Sequence, residues 1–203
     1  MKIICIGRNY IDHAKELNSP VPTKPLFFMK PDSSLLLNNN PFFLPDFSNE
    51  IHYEAEIVLK ISKLGKNIMK QYAHRYYEEI SIGIDFTARD LQRICIEEGQ
   101  PWEIAKGFDQ SAAIGRFISM KSLPDSSAIN FQLDINGSTV QKGNIKDLIF
   151  SFEEIIAYVS TFVTLKTGDL IYTGTPAGVG PVKIGDHLAA SIEGKILLDF
   201  KIK

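Results

Sequence analysis

The chain has 203 residues, of which 44% are hydrophobic and 23% are charged. This composition is typical of a folded globular protein and excludes an intrinsically disordered chain. Lys and Arg total 22 against 24 Asp and Glu, a net charge of −2, and no block of basic residues stands out, so a nucleic-acid partner is not expected. At about 150 residues per domain, the length predicts a single domain over residues 1–203.

The two cysteines, Cys5 and Cys95, lack the CxxC or Cys/His spacing of a metal site. They argue against a disulfide scaffold and a structural zinc site, and they fit a reducing cytoplasm. The first apolar run ends at Arg8 and is too short for a signal-peptide core. The longest uncharged stretches fall short of the ~18 apolar residues that a spanning helix needs. We therefore expect a cytoplasmic protein that has no membrane partner.

The hydrophobic pattern predicts a mixture of short strands and helices. In chain order, these are a strand over 2–6, a short helix over 10–17 capped by Asn9, short extended pieces over the proline-rich 18–50, a strand over 51–61, a helix over 68–79, a strand over 81–86, a helix over 87–98, a hairpin over 129–140, a helix over 152–164, and short strands over 169–203. Because the elements do not alternate regularly as βαβ units, the pattern predicts a β-rich α+β fold rather than a doubly wound or barrel α/β fold.

The strongest local feature is a pair of glutamates, Glu54 and Glu56, in the predicted strand over 51–61. Side chains at i and i+2 share one face of a strand, so the two carboxylates would point the same way, about 7 Å apart at the backbone. Neighbouring carboxylates repel each other unless a cation lies between them, and hard oxygen ligands favour Mg²⁺, Mn²⁺ or Ca²⁺. The alternative is a solvated strand face. His52, just before the pair, has no identifiable partner and is interpreted as structural.

A third acid, Asp85, ends the predicted strand over 81–86. A carboxylate at a strand end, just before a helix, lies where ligands commonly bind. Arg89 and Gln92 follow on the helix face that Asp85 would overlook. Alternatively, Asp85 is the N-cap of that helix.

Three further features are candidates for chemistry. His13 and Glu16 are spaced to touch on a short helix. A carboxylate on one imidazole nitrogen fixes the tautomer and raises the basicity of the ring, as a general base requires. Alternatively, the two residues form an ordinary surface pair with no role in chemistry. Lys106, next to a glycine, is either a cation for a small anion or a solvated lysine. The Gly-rich stretch over 174–180 matches neither nucleotide-binding pattern, and Thr175 with its neighbouring N–H groups could hold a carboxylate or form a tight turn.

Taken in order, seven stretches make the chain resemble the fumarylacetoacetate hydrolase family in its short single-domain form. They are GRNYIDHAKE at 7–16, KP at 30–31, IHYEAEIVLKI at 51–61, GIDFTARDLQ at 83–92, KGFD at 106–109, QKGN with LIF at 141–150, and TGTPAGVGP at 173–181. Together they extend over nearly the whole chain.

The resemblance implies a mixed β-sandwich roll of the family's C-terminal-domain type, usually as a homodimer. It implies Mg²⁺ or Mn²⁺ (Ca²⁺ in some crystals) held by three carboxylates, which match Glu54, Glu56 and Asp85. It also implies a His–Glu dyad that activates water, which matches His13 and Glu16. The positions that it assigns to substrate binding are Arg8, Tyr10, Arg89, Gln92 and Thr175.

The resemblance further implies a small 2-oxo acid as substrate. Our first hypothesis is a metal-dependent hydrolase of the C–C bond in acylpyruvate-type ketonic substrates. His13, assisted by Glu16, would deprotonate water, and pyruvate enolate would leave, stabilised by the metal as a Lewis acid and by the catalytic Lys106. The same enolate serves oxaloacetate decarboxylation, keto–enol tautomerisation and isomerisation of the 2-hydroxyhepta-2,4-diene-1,7-dioate type. A non-enzymatic binding module is the alternative from another class.

Overall fold

A computed structural model describes residues 1–16 and 20–203 of the chain. Its strands are β1 Ile3–Gly7, β2 Leu26–Lys30, β3 Leu35–Leu36, β4 Ile51–Tyr53, β5 Ala55–Ile61, β6 Tyr77–Asp85, β7 Thr87–Ala88, β8 Ala112–Ile114, β9 Ile118–Ser119, β10 Asn130–Ile135, β11 Ser138–Asn144, β12 Leu170–Tyr172, β13 Gly180–Pro181, β14 His187–Ile192 and β15 Lys195–Lys201. Its α-helices are α1 Ile11–Glu16, α2 Lys70–Ala73, α3 Arg89–Glu98, α4 Glu103–Lys106 and α5 Phe152–Phe162. The α+β class predicted from the sequence is confirmed.

The described strands form three sheets. The largest has the order β2-β1-β12-β5-β6-β8-β3, with β9 paired to β6 outside that path. A four-stranded sheet has the order β11-β10-β14-β15, and a small sheet joins β13, β4 and β7. Sheet neighbours come from distant parts of the sequence, as in the parallel pair β1 and β12. The topology therefore gathers side chains that no local pattern connects.

The core lies between the largest sheet and the four-stranded sheet, whose β14 and β15 pack against β6. The central strands β5 and β6 are paired antiparallel, and their residues are almost all buried. Burying an aliphatic side chain contributes about 1.5–3 kcal/mol to the free energy of folding. The many buried side chains of β5 and β6 therefore stabilise the part of the sheet from which Glu56 and Asp85 extend. A second apolar cluster, which includes Val58 and Tyr172, covers the opposite face of the large sheet.

Close approach of backbones at one point in this layer requires a glycine. Gly83 on β6 lies opposite Glu56 on β5. A Cβ atom at Gly83 would lie 2.6 Å from Tyr172 Cε1 and 2.7 Å from the carbonyl oxygen of Ala113. Because Gly83 has no side chain, the Tyr172 ring and the backbone of β8 can lie close to β6, directly opposite Glu56.

The longest helix, α5, has a well-defined start. Ser151 Oγ accepts a hydrogen bond from the Glu154 N–H (3.3 Å), and Glu154 Oε2 accepts one from the Ser151 N–H (2.9 Å). This reciprocal capping box satisfies two N–H groups that a helix otherwise leaves unpaired. Within residues 1–16 and 20–203, no helix combines the length and apolarity needed to cross a membrane.

Several predicted elements differ from the observed ones. The predicted helix over 68–79 was wrong: only Lys70–Ala73 is helical, and Tyr77 already begins β6. The predicted strand over 51–61 is interrupted at Glu54, because β4 pairs with β7 and β13 while β5 joins the large sheet. Of the predicted helix over 10–17, Ile11–Glu16 is helical, and position 17 lies outside the described residues. Asn9 does not cap it: its side-chain oxygen accepts from the Phe150 N–H (2.8 Å).

Candidate active site

Three buried carboxylates meet at the end of the β5–β6 pair. Glu54 lies in the break between β4 and β5, Glu56 is on β5, and Asp85 ends β6. The backbone N–H of Asp85 donates to the carbonyl oxygen of Glu54 at 2.8 Å, which holds the two ends together. One oxygen from each side chain lies within 4.8 Å of the others. The three acids predicted as a set are thus brought together, although Glu54 and Glu56 do not share one uninterrupted strand.

Cations surround two of these carboxylates and leave the third without one. Glu54 accepts from Arg89 Nη2 at 2.5 Å and from Lys106 Nζ at 2.8 Å. Asp85 Oδ2 accepts from Lys106 Nζ at 2.9 Å, and Lys30 Nζ lies 2.6 Å from Asp85 Oδ1. Glu56 Oε2 accepts only the backbone N–H of Gly174, at 2.7 Å, among the described residues.

The unequal pairing shifts the pKa values of Glu54 and Glu56 in opposite directions. Burial alone would raise the pKa of Glu54, but Lys106 and Arg89 outweigh it and hold that pKa well below its ordinary value. Burial, together with the charges of Asp85 and Glu54, raises the pKa of Glu56 well above its ordinary value. Burial would lower the pKa of Lys106, but Asp85 and Glu54 raise it, so its ammonium form is retained.

The donor set fits a hard divalent cation. Carboxylate oxygens are the ligands that Mg²⁺, Mn²⁺ and Ca²⁺ prefer. Asp85 Oδ1 is buried, and the Lys30 ammonium, 2.6 Å away, is the one cation near it; it accepts no well-aligned hydrogen bond from the described residues. Two oxygens on opposite sides of one Ca²⁺ are about 4.8 Å apart and on one Mg²⁺ about 4.2 Å, so the observed cluster needs at most a small contraction to share an ion.

A His–Glu pair lies across the cavity from these acids. His13 Nδ1 is 3.2 Å from Glu16 Oε2, and the ring is buried. Glu16 Oε1 also accepts from the backbone N–H of Gly178 at 3.0 Å. Because Nδ1 faces Glu16, the Nε2 atom is the imidazole nitrogen left for proton transfer.

Both groups line one cavity of about 380 Å³ that opens to solvent. Of the predicted substrate-binding residues, Arg8, Arg89, Gln92 and Thr175 line it, as does the catalytic candidate Lys106. Tyr10 does not: its ring packs edge-on against Phe131, and its hydroxyl donates to the carbonyl oxygen of Asn144 at 3.3 Å. The assignment of Tyr10 to substrate binding is therefore corrected, since its side chain enters the core rather than the cavity.

Arg89 is held in a fixed orientation by three side chains. Besides its bond to Glu54, its Nη1 donates to Gln92 Oε1 at 2.5 Å and its Nε to His52 Nδ1 at 3.4 Å. His52 Nε2 in turn lies 3.0 Å from Glu50 Oε1. The interpretation of His52 as a residue without a partner was wrong, because its ring contacts both Arg89 and Glu50. His52 also lines the cavity.

The sequence reasoning also missed Lys30 and the apolar wall of the cavity. Lys30 lies in the KP stretch, but its contact with Asp85 depends on long-range pairing. Its ammonium also donates to the carbonyl oxygens of Phe86 (3.2 Å) and Ser111 (2.8 Å), which fixes it behind the acids. Phe28 and Trp102 form part of the apolar wall, with ring centroids 5.7 Å apart.

Comparison with known proteins is consistent with this geometry. A family model described as "Fumarylacetoacetate (FAA) hydrolase C-terminal" matches residues 2–202. The chain is 39% identical over 201 residues to the mitochondrial oxaloacetate tautomerase FAHD1 of Mus musculus, covering 99% of this chain and 91% of the mouse protein. It is 40% identical over 194 residues to the mitochondrial oxaloacetate decarboxylase of Dictyostelium discoideum, covering 95% of this chain and 89% of that protein.

A solved structure shares the fold along the whole chain. It is fumarylpyruvate hydrolase from Pseudomonas aeruginosa in complex with Mn²⁺ and pyruvate, with a TM-score of 0.93 and 35% identity, covering 100% of this chain and 89% of the other. A family match over nearly all residues, relatives near 40% identity and a shared fold give the same result. The chain belongs to the fumarylacetoacetate hydrolase family.

Proposed function

We propose that this protein is a divalent-metal-dependent enzyme that tautomerises oxaloacetate, moving one proton between C3 and the oxygen on C2. The observation that carries the proposal is that the buried Glu54, Glu56 and Asp85 open onto the same cavity as His13 and Glu16. The choice of oxaloacetate is supported by 39% and 40% identity to an oxaloacetate tautomerase and an oxaloacetate decarboxylase.

In this proposal the three acids hold Mg²⁺ or Mn²⁺, as their hard oxygen donors and their close grouping suggest. The Mn²⁺ complex of the Pseudomonas aeruginosa hydrolase supports the same ion. When bound, such an ion supplies Lewis-acid stabilisation of negative charge on a 2-oxo acid.

The residues of the chain supply proton transfer and anion binding. His13 Nε2 takes a proton from C3 as a general base, while Glu16 holds the ring and stabilises its charged form. The Lys106 ammonium offsets the negative charge that develops on the C2 oxygen, and the protonated His13 then gives its proton to that oxygen, which completes the transfer to the enol; ketonisation is the reverse of these steps. The cations Arg8 and Arg89 and the Thr175 hydroxyl line the same cavity and bind the carboxylates.

Hydrolysis of an acylpyruvate is the second candidate, and a specific observation favours it. Glu16 is fixed by both His13 and the Gly178 N–H, an arrangement suited to holding His13 as the base for a water molecule. In that reaction the water would add to the distal carbonyl, the C–C bond would break, the acyl group would depart as a carboxylic acid and pyruvate would leave as its enolate. Decarboxylation of oxaloacetate would form the same pyruvate enolate with release of CO₂. Phe28 and Trp102 would accommodate a less polar distal group.

A substrate panel separates these reactions. Purified protein with Mn²⁺ or Mg²⁺, and with EDTA as control, is given enol-oxaloacetate, acetylpyruvate and fumarylpyruvate, and each is followed by its ultraviolet absorbance and by coupled detection of pyruvate. We expect metal-dependent ketonisation of oxaloacetate with the highest kcat/KM. A higher kcat/KM for an acylpyruvate would instead support the hydrolase, and no turnover in the panel would overturn both.

Substitution of His13 tests its role as the base. His13→Ala should lower kcat by about 10²–10⁴-fold, the usual contribution of a positioned general base. The affinity for Mn²⁺, measured by electron paramagnetic resonance, should change little, because His13 is not in the acid cluster. Asp12→Ala on the exposed face of the same helix is the matched control. Unchanged turnover in His13→Ala would remove it from the mechanism.

The homodimer implied by the resemblance and the cytoplasmic location expected from the sequence also remain part of this proposal. They affect neither the assignment of the acids nor that of the base.

A further inference from the structure

Gln141, at the start of the QKGN stretch, connects two elements of the site. It lies on β11 and is 2% exposed. Its Oε1 accepts from the Ala55 N–H at 2.9 Å, and Ala55 is the residue between Glu54 and Glu56. Its Nε2 donates to Thr175 Oγ1 at 2.9 Å and to the carbonyl oxygen of Pro176 at 3.0 Å. One buried amide thus joins the acid-bearing strand to the Gly-rich loop.

That loop, residues 173–180, contacts both halves of the site. The Gly174 N–H donates to Glu56, and the Gly178 N–H donates to Glu16. The loop lies directly on β11: Gly178 has φ +98°, and a Cβ atom there would be 2.5 Å from the carbonyl oxygen of Val140. Gln141 therefore holds the loop at the point midway between its contacts to the acid cluster and to the His–Glu pair.

The hydrogen-bond pattern also fixes the polarity of the Thr175 hydroxyl. The backbone N–H of Ala55 can only donate and the carbonyl oxygen of Pro176 can only accept, so the amide orientation of Gln141 is determined by its partners. Its NH₂ group must then donate to Thr175 Oγ1. Thr175 donates to no acceptor among the described residues, and it lines the cavity. Its hydroxyl hydrogen is therefore left for a ligand.

We propose that Gln141 is a positioning residue that acts through Thr175: by occupying Oγ1 as a donor, it commits the Thr175 hydroxyl to donate to a ligand oxygen in the cavity. The ligand class is an oxyanion such as the carboxylate of a 2-oxo acid. The inference rests on the proposed function in placing that anion beside the acid cluster, but it concerns binding and not the reaction that follows.

The test measures the binding of oxalate, an unreactive dicarboxylate probe, to the Mn²⁺-loaded full chain by isothermal titration calorimetry. Gln141→Glu keeps the shape and the acceptor for Ala55 N–H but replaces the donor with a carboxylate, to which the Thr175 hydroxyl then donates. A hydrogen bond to a charged group contributes about 1.5–3 kcal/mol, so oxalate Kd should rise about 10- to 100-fold. Thr175→Val should cause a similar loss, and Thr175→Ser should retain most of the affinity.

The double variant Gln141→Glu/Thr175→Val separates positioning from added charge. If Gln141 acts through Thr175, the second substitution adds little to the first, whereas a purely electrostatic effect of the new carboxylate lowers affinity equally in both backgrounds. Equal losses would overturn the proposal. The same cycle with Gln141→Met, which carries no charge, gives the answer if Gln141→Glu does not fold, and circular dichroism checks the fold.

The failure of this inference can be told apart from failure of the proposed function. Mn²⁺ binding is measured first, in the absence of oxalate, so loss of the metal site is seen directly. A protein that binds oxalate through Thr175 but does not turn over oxaloacetate would retain the positioning role and overturn the tautomerase. Turnover of oxaloacetate with additive losses in the cycle would do the reverse.

Discussion

Glu56→Gln should stabilise the metal-free protein. Among the described residues no cation contacts Glu56, while its two neighbours each contact two, so its charge is the one that folding leaves uncompensated. Burial and the adjacent acids raise its pKa above the ordinary 4.5, so the metal-free fold loses stability as pH rises from 4.5 through that raised value. Holding the proton at pH 7 costs at most about 3.4 kcal/mol, at about 1.36 kcal/mol per pH unit above the ordinary value.

This cost is the upper limit of the free energy of unfolding that removal of the Glu56 charge can restore at pH 7. Glu56→Gln keeps an oxygen for the Gly174 N–H and should raise Tm in EDTA by up to roughly 7–14 °C at pH 7, since about 1 kcal/mol shifts Tm by about 2–4 °C in a domain of this size. The gain should shrink towards zero as the pH falls to and below 4.5, where the wild-type carboxyl becomes protonated in the unfolded as well as the folded state.

Thermal unfolding followed by circular dichroism between pH 5 and 8, in EDTA and in Mn²⁺, checks this expectation. Mn²⁺ should raise the Tm of the wild type and much less that of Glu56→Gln, which lacks one ligand. Glu54→Gln is the matched control: it removes the carboxylate that pairs with Arg89, while Lys106 keeps Asp85, and the unpaired buried guanidinium should lower Tm in EDTA. A Glu56→Gln protein that is less stable than the wild type in EDTA at pH 7–8 would refute the charge distribution on which the metal assignment rests.

Two further predictions concern stability and assembly. Ser151→Ala should destabilise the protein by about 1 kcal/mol through loss of the α5 cap, seen as a lower midpoint in urea, and Ser151→Asp should restore most of it; an unchanged midpoint would mean that α5 is held by packing alone. For assembly, light scattering after size exclusion should give twice the mass of one chain, and a monomer at micromolar concentration would contradict the homodimer.

The sequence predicts those parts of the fold that local patterns determine. The helices α3 and α5 begin within two residues of their predicted starts, because Ser151 and the apolar periodicity are local signals. The predicted helix over 68–79 fails because the charged end of β6 resembles the polar face of a helix. There, Glu79 lies opposite Lys60 on β5, 2.7 Å from its ammonium, and the antiparallel pairing of β6 with β5, which no local pattern encodes, decides the conformation.

The same distinction applies to the site. Glu54, Glu56 and Asp85 are found because carboxylates at a strand end suggest a ligand wherever the rest of the chain lies. Their grouping depends on the backbone bond between Asp85 and Glu54, which replaces the shared strand face assumed from spacing. Gln141 is invisible to local reasoning, because its three partners come from two other elements. Buried groups that hold a site together carry no local signature.

The charges around the acids give a physical reason for a doubly charged substrate. When a metal displaces the proton of Glu56, Glu54, Glu56 and Asp85 carry three negative charges, and Lys30, Arg89 and Lys106 carry three positive ones, so these six side chains sum to zero. A divalent ion brings the sum to +2, and a ligand with two carboxylates restores neutrality. A monocarboxylate would leave one positive charge uncompensated in a largely buried site, where charge is costly. The charge balance therefore favours a dicarboxylate, such as the proposed substrate oxaloacetate or fumarylpyruvate, over a monocarboxylate such as acetylpyruvate.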